Sequence, residues 1–355
     1  MKSRSFLILI LLAHITKSYS QDSLTQKTDL QFVPVVQVFG ITTYNITDHH
    51  YRYWIDRAFL GFQIKFNDRW STKVLIDRGT PTSVGGISVT DSAGNAYNVT
   101  NTSREGAFYT MYLKLATLRW NVNDKLTLEG GVILQNHYIT QDHFWKLRYV
   151  AQTFSDRYYS MAPTDLGFIG YYKINKTIAI DAAVTNGEGP RFDQDLYGKV
   201  KFASGIDIQP YDFIQFRIYY HYKPSGESTT GNENFISFFS GIRPNPKTRL
   251  GVEYNYMKNL FAVNELKSYG WSLFGVYSLS KQLEIFGRGD RLLYENVDLE
   301  QPGVWGNGIT LLAGISESPV NGISLSIAYQ YWRPDRQAGG SDNRVRFSIQ
   351  IMPEF

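Results

Sequence analysis

One segment of the chain carries charges and aromatic rings in a pattern that is neither helical nor strand-like. Residues 144–167 read FWKLRYVAQTFSDRYYSMAPTDLG and include Lys146, Arg148, Asp156 and Arg157. Basic side chains attract anions and pair with carboxylates, while aromatic rings need an apolar surface on which to pack. The segment therefore combines groups that can contact a charged ligand with groups that can anchor it.

A second charged pair lies much later in the chain. Arg288 and Asp290 are two residues apart in EIFGRGDRL, so on a strand their side chains share one face. They could pair with each other or with the segment at 144–167, or they could form a solvated surface pair worth about 0–1 kcal/mol.

Signals for catalysis and for metal binding are weak. His49 and His50 follow Asp48, but adjacent residues on a strand or loop point apart, and no Ser stands in a nucleophile motif. The sequence has no Cys and its six His show no metal-ligand spacing. We therefore predict no catalytic residue, no metal site and no cofactor.

The rest of the chain alternates apolar and polar residues in short runs. Residues 215–222 read QFRIYYHY, which places Phe216, Ile218 and Tyr220 on one face. Helical spacing does not fit this run, so it predicts a β-strand. The same alternation recurs in two further runs: 325–332 (LSIAYQYW) and 345–351 (VRFSIQI).

The connections between these runs alternate between short and long. The predicted short turns are 67–68, 121–124, 175–176, 210–212, 245–247, 280–282 and 320–322. The predicted long loops are 46–54, 80–104, 137–164, 186–195, 224–233, 258–267, 291–306 and 334–343. This regular alternation predicts an all-β, antiparallel transmembrane β-barrel of about sixteen strands, with short periplasmic turns and long external loops.

A membrane explains why polar side chains alternate with apolar ones along every strand. In lipid each backbone group must be paired, and a closed barrel achieves this without a free edge. Aromatic residues near strand ends, such as Trp120, Trp271 and Trp332, are typical of the membrane interface. A soluble β-sandwich would show the same period but not the regular loop lengths, so we expect outer-membrane lipid as a partner.

The ends of the sequence predict export. Residues 1–20 begin with Lys2 and Arg4 and continue into an apolar run, as a secretory signal peptide does. We predict a single barrel domain over residues 21–355. The final Phe355 lies on an alternating strand and resembles the terminal aromatic by which outer-membrane barrels are recognised.

The charge balance argues against nucleic acid as a partner. The whole chain carries a formal +4, and Lys2, Arg4 and Lys17 account for three of those charges within the predicted signal. Only +1 is left for residues 21–355, which is far from the strongly basic surface that nucleic-acid binding requires.

Two local stretches resemble phosphate-selective porins and their wider bacterial porin relatives. In the first stretch the matching residues are Trp145, Arg148, Thr153, Phe154, Asp156, Arg157, Asp165, Leu166 and Gly167. In the second they are Phe286, Arg288 and Asp290. The resemblance implies a passive channel in the bacterial outer membrane, with a homotrimer among the assemblies left open.

On this resemblance, we predict that the charged segment, which lies in the third long loop, forms the constriction of the pore. Lys146, Arg148, Arg157 and Arg288 would attract anions, with Asp290 beside them, while Trp145, Phe154 and Tyr158 would hold the loop on the wall. Basic residues also exceed acidic ones on the predicted lumen face, which predicts a mild preference for anions among small hydrophilic solutes.

Two other functions are left open by the sequence. A barrel with a blocked lumen could serve as a binding or assembly component through its long loops. An outer-membrane hydrolase using His49 or His50 is the less favoured alternative. The third loop could also be a surface loop whose aromatic rings cover its own backbone.

Overall fold

The computed structural model describes residues 30–79, 87–90, 96–99, 110–190, 194, 196–226, 230–296, 306–335 and 342–353. The predicted signal peptide and Phe355 lie outside these residues. The strands are β1 (Gln31–Asn45), β2 (His50–Lys65), β3 (Trp70–Gly79), β4 (Ile87–Thr90), β5 (Ala96–Val99), β6 (Thr110–Asn121), β7 (Leu126–Leu134), β8 (Thr164–Lys173), β9 (Ile178–Thr185), β10 (Lys201–Tyr211), β11 (Ile214–Lys223), β12 (Glu233–Asn245), β13 (Thr248–Lys258), β14 (Lys267–Ser278), β15 (Leu283–Glu295), β16 (Gly308–Val320), β17 (Ile323–Pro334) and β18 (Asp342–Ile351).

In the ranges given above, helical structure is confined to short pieces between strands. They are α1 (Ile139–Trp145), α2 (Phe154–Tyr158) and a 3₁₀-helix (Leu260–Ala262). Within the ranges given above, no helix is both long and apolar enough to cross a membrane.

Sixteen of the strands close into one antiparallel barrel, which confirms the predicted fold class. Neighbours in the barrel follow chain order, and β18 returns to pair with β1 from Val38↔Ile351 to Asn45↔Arg344. The remaining two strands, β4 and β5, form a separate hairpin in the connection between β3 and β6.

Short connections join the strands at one end of the barrel, which we call the turn end. Several of them are built on an Asn side chain: Asn67 Oδ1 accepts the N–H groups of Arg69 and Trp70, both at 2.9 Å. Asn123 and Asn175 accept the N–H groups two and three residues later in the same way. An Asn side chain that bonds to the following backbone N–H groups stabilises a tight turn. For this reason the short turns at these positions were predicted correctly from the sequence.

At the opposite end, which we call the loop end, two predicted loops were too long: 46–54, and 291–306, of which residues 291–295 belong to β15. Residues 46–54 were expected to form a long loop, but β2 begins at His50 and the connection has only residues 46–49. Tyr44 and Tyr51 pair across the two strands with their ring centres 4.6 Å apart. This aromatic pair extends the ladder, and His49 closes the turn with φ at 51°.

Burial alternates along the strands as the sequence predicted. On β11, Arg217, Tyr219 and His221 are buried inside the barrel, whereas Phe216 and Ile218 are exposed on the outside. The large exposed apolar side chains of the other strands follow the same pattern. The outer face is therefore apolar, and the buried core lies inside the barrel, where the third loop (residues 135–163) packs on the wall.

Candidate functional site inside the barrel

The third loop lies inside the barrel because α1 packs its aromatic residues on the wall. Phe144 contacts Phe239 of β12 with ring centres 5.5 Å apart, and Trp145 contacts Phe274 of β14 at 4.9 Å. The Trp145 indole also donates to the Ala151 carbonyl at 2.9 Å, which satisfies its buried N–H. Burying each such side chain contributes about 1.5–3 kcal/mol, so α1 is firmly attached.

A second group of rings attaches α2 further along the loop. Phe154, Tyr158 and Tyr159 are buried in one cluster with Phe235 of β12 and Met257 of β13. The Tyr158 hydroxyl lies 2.7 Å from Thr310 Oγ1 and donates to Asp290 Oδ2 at 3.1 Å. The structure buries all three predicted packing residues against the wall: Trp145, Phe154 and Tyr158. A surface loop whose rings cover only its own backbone does not match this arrangement.

Arg288 and Asp290 connect the wall to the loop. Their side chains pair on β15 with Arg288 Nε and Asp290 Oδ1 2.7 Å apart, and only 6% and 2% of these residues is exposed. Arg288 also donates to the carbonyl of Gln152 on the loop. The pair is therefore buried and holds the loop, as one of the sequence hypotheses had it, and it is not a solvated surface pair.

Glu253 anchors the third loop, and sequence reasoning did not single it out. Its carboxylate on β13 accepts the backbone N–H groups of Ser155 at 2.9 Å and Phe154 at 3.3 Å, at the start of α2. Asn255 donates to the same carboxylate at 2.8 Å. The alternating pattern placed Glu253 in the lumen, but no local signal linked it to a loop almost one hundred residues earlier.

The face of the loop that points away from this anchoring wall is charged. Arg148 pairs with Asp142 at 3.3 Å and more closely with Asp156, and its guanidinium lies 4.6 Å from the Tyr138 ring centre. Burial alone would lower the pKa of Arg148, but the carboxylates of Asp156 and Asp142 raise it above its ordinary value. Arg148 therefore carries its positive charge at every accessible pH.

Three basic side chains of the wall face this charged surface of the loop. Arg57 on β2 and Lys114 on β6 both interact electrostatically with Arg148 and Asp156. Arg346 on β18 interacts in the same way with Arg157. Carboxylates accompany two of these cations, since Lys114 lies 3.7 Å from Asp77 and Arg346 interacts with Asp56. The loop thus carries mixed charges opposite a wall with a small basic excess, and we call Arg57, Lys114 and Arg346 the wall cations.

The remaining predicted residues occupy different environments. Lys146 is exposed and ends α1 with φ at 63°, while Arg157 is half-buried with its guanidinium 5.1 Å from the Tyr158 ring centre. His49 ends the connection between β1 and β2 at the loop end, and His50 begins β2. Among the residues that the structure describes, no three His, Asp or Glu side chains come together as a metal site would require.

The fold is similar to solved outer-membrane proteins, although the sequences are very different. OmpF of Salmonella typhi, solved in complex with daunomycin, superposes with a TM-score of 0.67 at 10% identity over 91% of this chain and 97% of that one. The outer membrane channel DcaP of Acinetobacter baumannii gives 0.59 at 14% identity over 94% and 100%. The trimer form of OmpT, an outer membrane protein of Vibrio cholerae, gives 0.61 at 10% identity over 91% and 99%.

At the level of sequence, the chain matches no protein-family model and no curated protein. The resemblance to phosphate-selective porins therefore rests on its two local stretches and stays a prediction. What the comparisons establish, together with the closed sixteen-stranded topology, is that this chain has the fold of bacterial outer-membrane β-barrels.

Proposed function

We propose that the protein is a porin of the bacterial outer membrane through which small hydrophilic solutes diffuse passively. In this proposal residues 1–20 are the export signal and residues 21–355 form the channel domain. The third loop narrows the lumen and gives a mild preference for anions. Passage by diffusion needs no catalytic group and no cofactor.

The observation that carries this proposal is the one-sided attachment of the third loop. Its aromatic residues, a hydrogen bond from Thr140 to Asp207 and the Arg288–Asp290 pair bind it to the wall from β10 to β17. Tyr149 extends this attachment to Phe39 of β1. The charged face of the loop, with Asp142, Arg148 and Asp156, is turned toward the wall cations on the other side. Such a layout supports a narrow aqueous passage bordered by charge on both sides.

The charges around this passage favour anions only slightly. Arg148 offsets only one of the two carboxylates of Asp142 and Asp156, so the basic excess comes from the wall cations and from further basic residues of the loop. Lys146 and Arg157 add positive charge on the loop, while Arg148 and Arg288 act mainly by fixing the loop through their buried pairs. A ring of basic groups lowers the energy of a passing anion and raises that of a cation.

Single-channel recording tests the proposal directly. The refolded protein in a planar bilayer under a KCl gradient should give stable ohmic steps, with a reversal potential shifted toward that of chloride. Inorganic phosphate should be added as a competitor, because of the resemblance to phosphate-selective porins. A folded barrel that conducts nothing would overturn the proposal and favour the plugged binding barrel.

We further propose that the channel assembles as a homotrimer through an apolar groove on the outside of the barrel. The groove has a volume of about 650 Å³ and is lined by Gly130, Gly170 and Ala182 between larger rings such as Phe168. Small residues allow two surfaces to approach closely within a membrane. The similar barrel of Vibrio cholerae OmpT, described in a trimer form, supports this assembly.

A further inference from the structure

A second cavity lies at the loop end, apart from the charged face of the third loop. Its volume is about 620 Å³, within the range of small-molecule sites. Its floor is the end of the third loop, from Tyr159 to Ala162, and its sides are formed by the loops that follow β9, β11 and β13. The lining therefore includes none of the wall cations and not Arg148.

The charges that line this cavity are already paired. Lys223 and Glu188 are 3.0 Å apart, and Glu233 lies 2.9 Å from His221. Lys201 pairs with Asp165 at 3.5 Å. The charges of the two lysines and two glutamates in the lining cancel. The cavity therefore offers many hydrogen-bonding groups but no net charge.

Two aromatic rings are exposed at this cavity. Tyr197 is 53% exposed and Phe261 is 37% exposed, although both rings line a concave surface. The Tyr197 ring lies directly on Gly226, where a Cβ atom would fall 1.9 Å from the ring, so only glycine permits this contact. Rings held at a cavity in this way provide flat apolar faces for a ligand.

The backbone that carries Phe261 is strained. Its φ of 58° and ψ of 26° are left-handed, which is unusual for a bulky residue, and Ala262 follows with φ at 60°. The neighbouring loop holds this conformation, because the N–H of Gly231 donates to the Ala262 carbonyl at 2.8 Å and Asn259 Nδ2 donates to the Asn232 carbonyl at 2.7 Å. Strain of this kind is common at ligand sites.

We propose that this cavity binds a neutral polyhydroxylated ligand, a mono- or disaccharide. The apolar C–H faces of a sugar ring stack on aromatic faces, which Tyr197 and Phe261 supply. Its hydroxyl groups both donate and accept, which suits the paired Lys223, Glu188 and Glu233. A charged ligand would have to break one of these ion pairs, and the cavity has no excess charge with which to replace it.

Binding to the refolded protein tests this site without any need for conduction. The titrations use glucose and maltose, with gluconate as the charged relative, and are followed by saturation-transfer NMR. The protein is kept in lauryldimethylamine oxide micelles, because glycoside detergents would compete. We expect glucose and maltose to bind and gluconate to bind at least several-fold more weakly.

Substitutions at the two rings test whether sugar binding depends on them or on the fold in general. Tyr197→Ala and Phe261→Gly should each weaken sugar binding by about fivefold, since one stacking contact is lost. Phe261→Gly also relaxes the left-handed backbone, so folding should be preserved, and Phe261→Tyr should bind as the unchanged protein does. Phe213→Leu is the matched control, because Phe213 is an exposed ring at the turn end.

The outcomes are distinct. Sugar binding that depends on both rings and is unaffected by Phe213→Leu would establish the site. Preferential binding of gluconate, no binding of either sugar, or binding that ignores both ring substitutions would overturn it. A conducting channel that binds no sugar would leave the proposed porin function intact and remove only this inference.

Discussion

The positive charge that Arg148 presents to the lumen depends on its neighbouring carboxylates. Its charge is shared between Asp142 and Asp156, so replacing it with a neutral residue would expose two carboxylates to the passage. Arg57, by contrast, donates only to Gln37 among the hydrogen bonds described for it and lies over the rings of Phe39 and Phe59. Selectivity should therefore depend most directly on the wall cations.

Replacing Arg57 and Lys114 with Ser should lower the preference for anions. Each unit charge removed about 4 Å from a passing ion changes the energy of that ion by about 1 kcal/mol in water, which corresponds to about fivefold in the permeability ratio per charge. The measurement is the reversal potential in a KCl gradient. The matched control is Lys258→Ser with Lys267→Ser, which removes two half-buried, ion-paired lysines at the loop end. An equal shift in that control would argue against a local effect.

His137 should make the stability of the barrel depend on pH. Burial, and then the nearby charges of Lys201 and His221, hold the pKa of His137 well below its ordinary 6.5, and the residue is 1% exposed. The unfolded chain takes up a proton as the pH falls through 6.5, whereas the folded chain does not until the lower folded pKa is reached. Stability is therefore lost as the pH decreases through this window, by about 1.4 kcal/mol per pH unit.

Urea midpoints between pH 7.5 and 4.5 provide the test of this pH dependence. His137→Phe keeps the ring contacts with Tyr138 and Tyr219 and removes the titrating group, so its curve should be flatter below pH 6.5. His143→Phe is the control, because His143 is exposed on α1. Parallel curves for the unchanged protein and His137→Phe would show that His137 does not contribute.

At the scale of elements, the attachment of α2 depends on strand β15. In Arg288→Met, Asp290 would lose its ion-pair partner inside the barrel, and removing one partner of a buried pair costs about 3–5 kcal/mol. Arg288→Met combined with Asp290→Leu should cost less, because no lone charge is left. Both variants lose the hydrogen bond to Gln152, so their single-channel currents should be noisier as the third loop moves.

Two measurements separate the effect of the unpaired buried charge from the effect of a released loop. Urea midpoints report the buried charge, and current noise reports the loop. If both variants were equally unstable and equally quiet, the Arg288–Asp290 pair would be part of the wall only, and the loop would be held by its aromatic residues.

Elements differed in how well the sequence predicted them. The strands and the short turns were predicted because alternation and Asn-centred reversals are local signals, as Asn67 and Asn123 show. A contact of Arg288 and Asp290 with the third loop was among the sequence hypotheses, because strand alternation places both side chains on one face. The contact of Glu253 was beyond sequence reasoning, because it reaches the loop from a strand about one hundred residues later. The first loop was misjudged because the Tyr44–Tyr51 pair, which lengthens β1 and β2, depends on strand register.

At the scale of the whole molecule, the outer groove should control assembly. Gly170→Leu would fill the groove beside Leu128 without a severe clash, since a Cβ atom at Gly170 would lie 3.4 Å from the Leu128 side chain. We expect this variant to fold, but multi-angle light scattering should give it a lower molar mass than the unchanged protein. Gly289→Leu on β15 is the control, with its Cβ 3.6 Å from Leu311. A trimer that survives Gly170→Leu would place the contact elsewhere.

The pairing of β1 with β18 has a consequence for how the barrel folds. Every other contact between barrel strands can form as the chain adds one hairpin to the next, but Val38 and Ile351 meet only when the first and last strands come together. Until then the growing sheet has two unpaired edges, which are templates for aggregation. Because this closure has the largest loop entropy of any contact in the barrel, we expect it to be the slow step of folding.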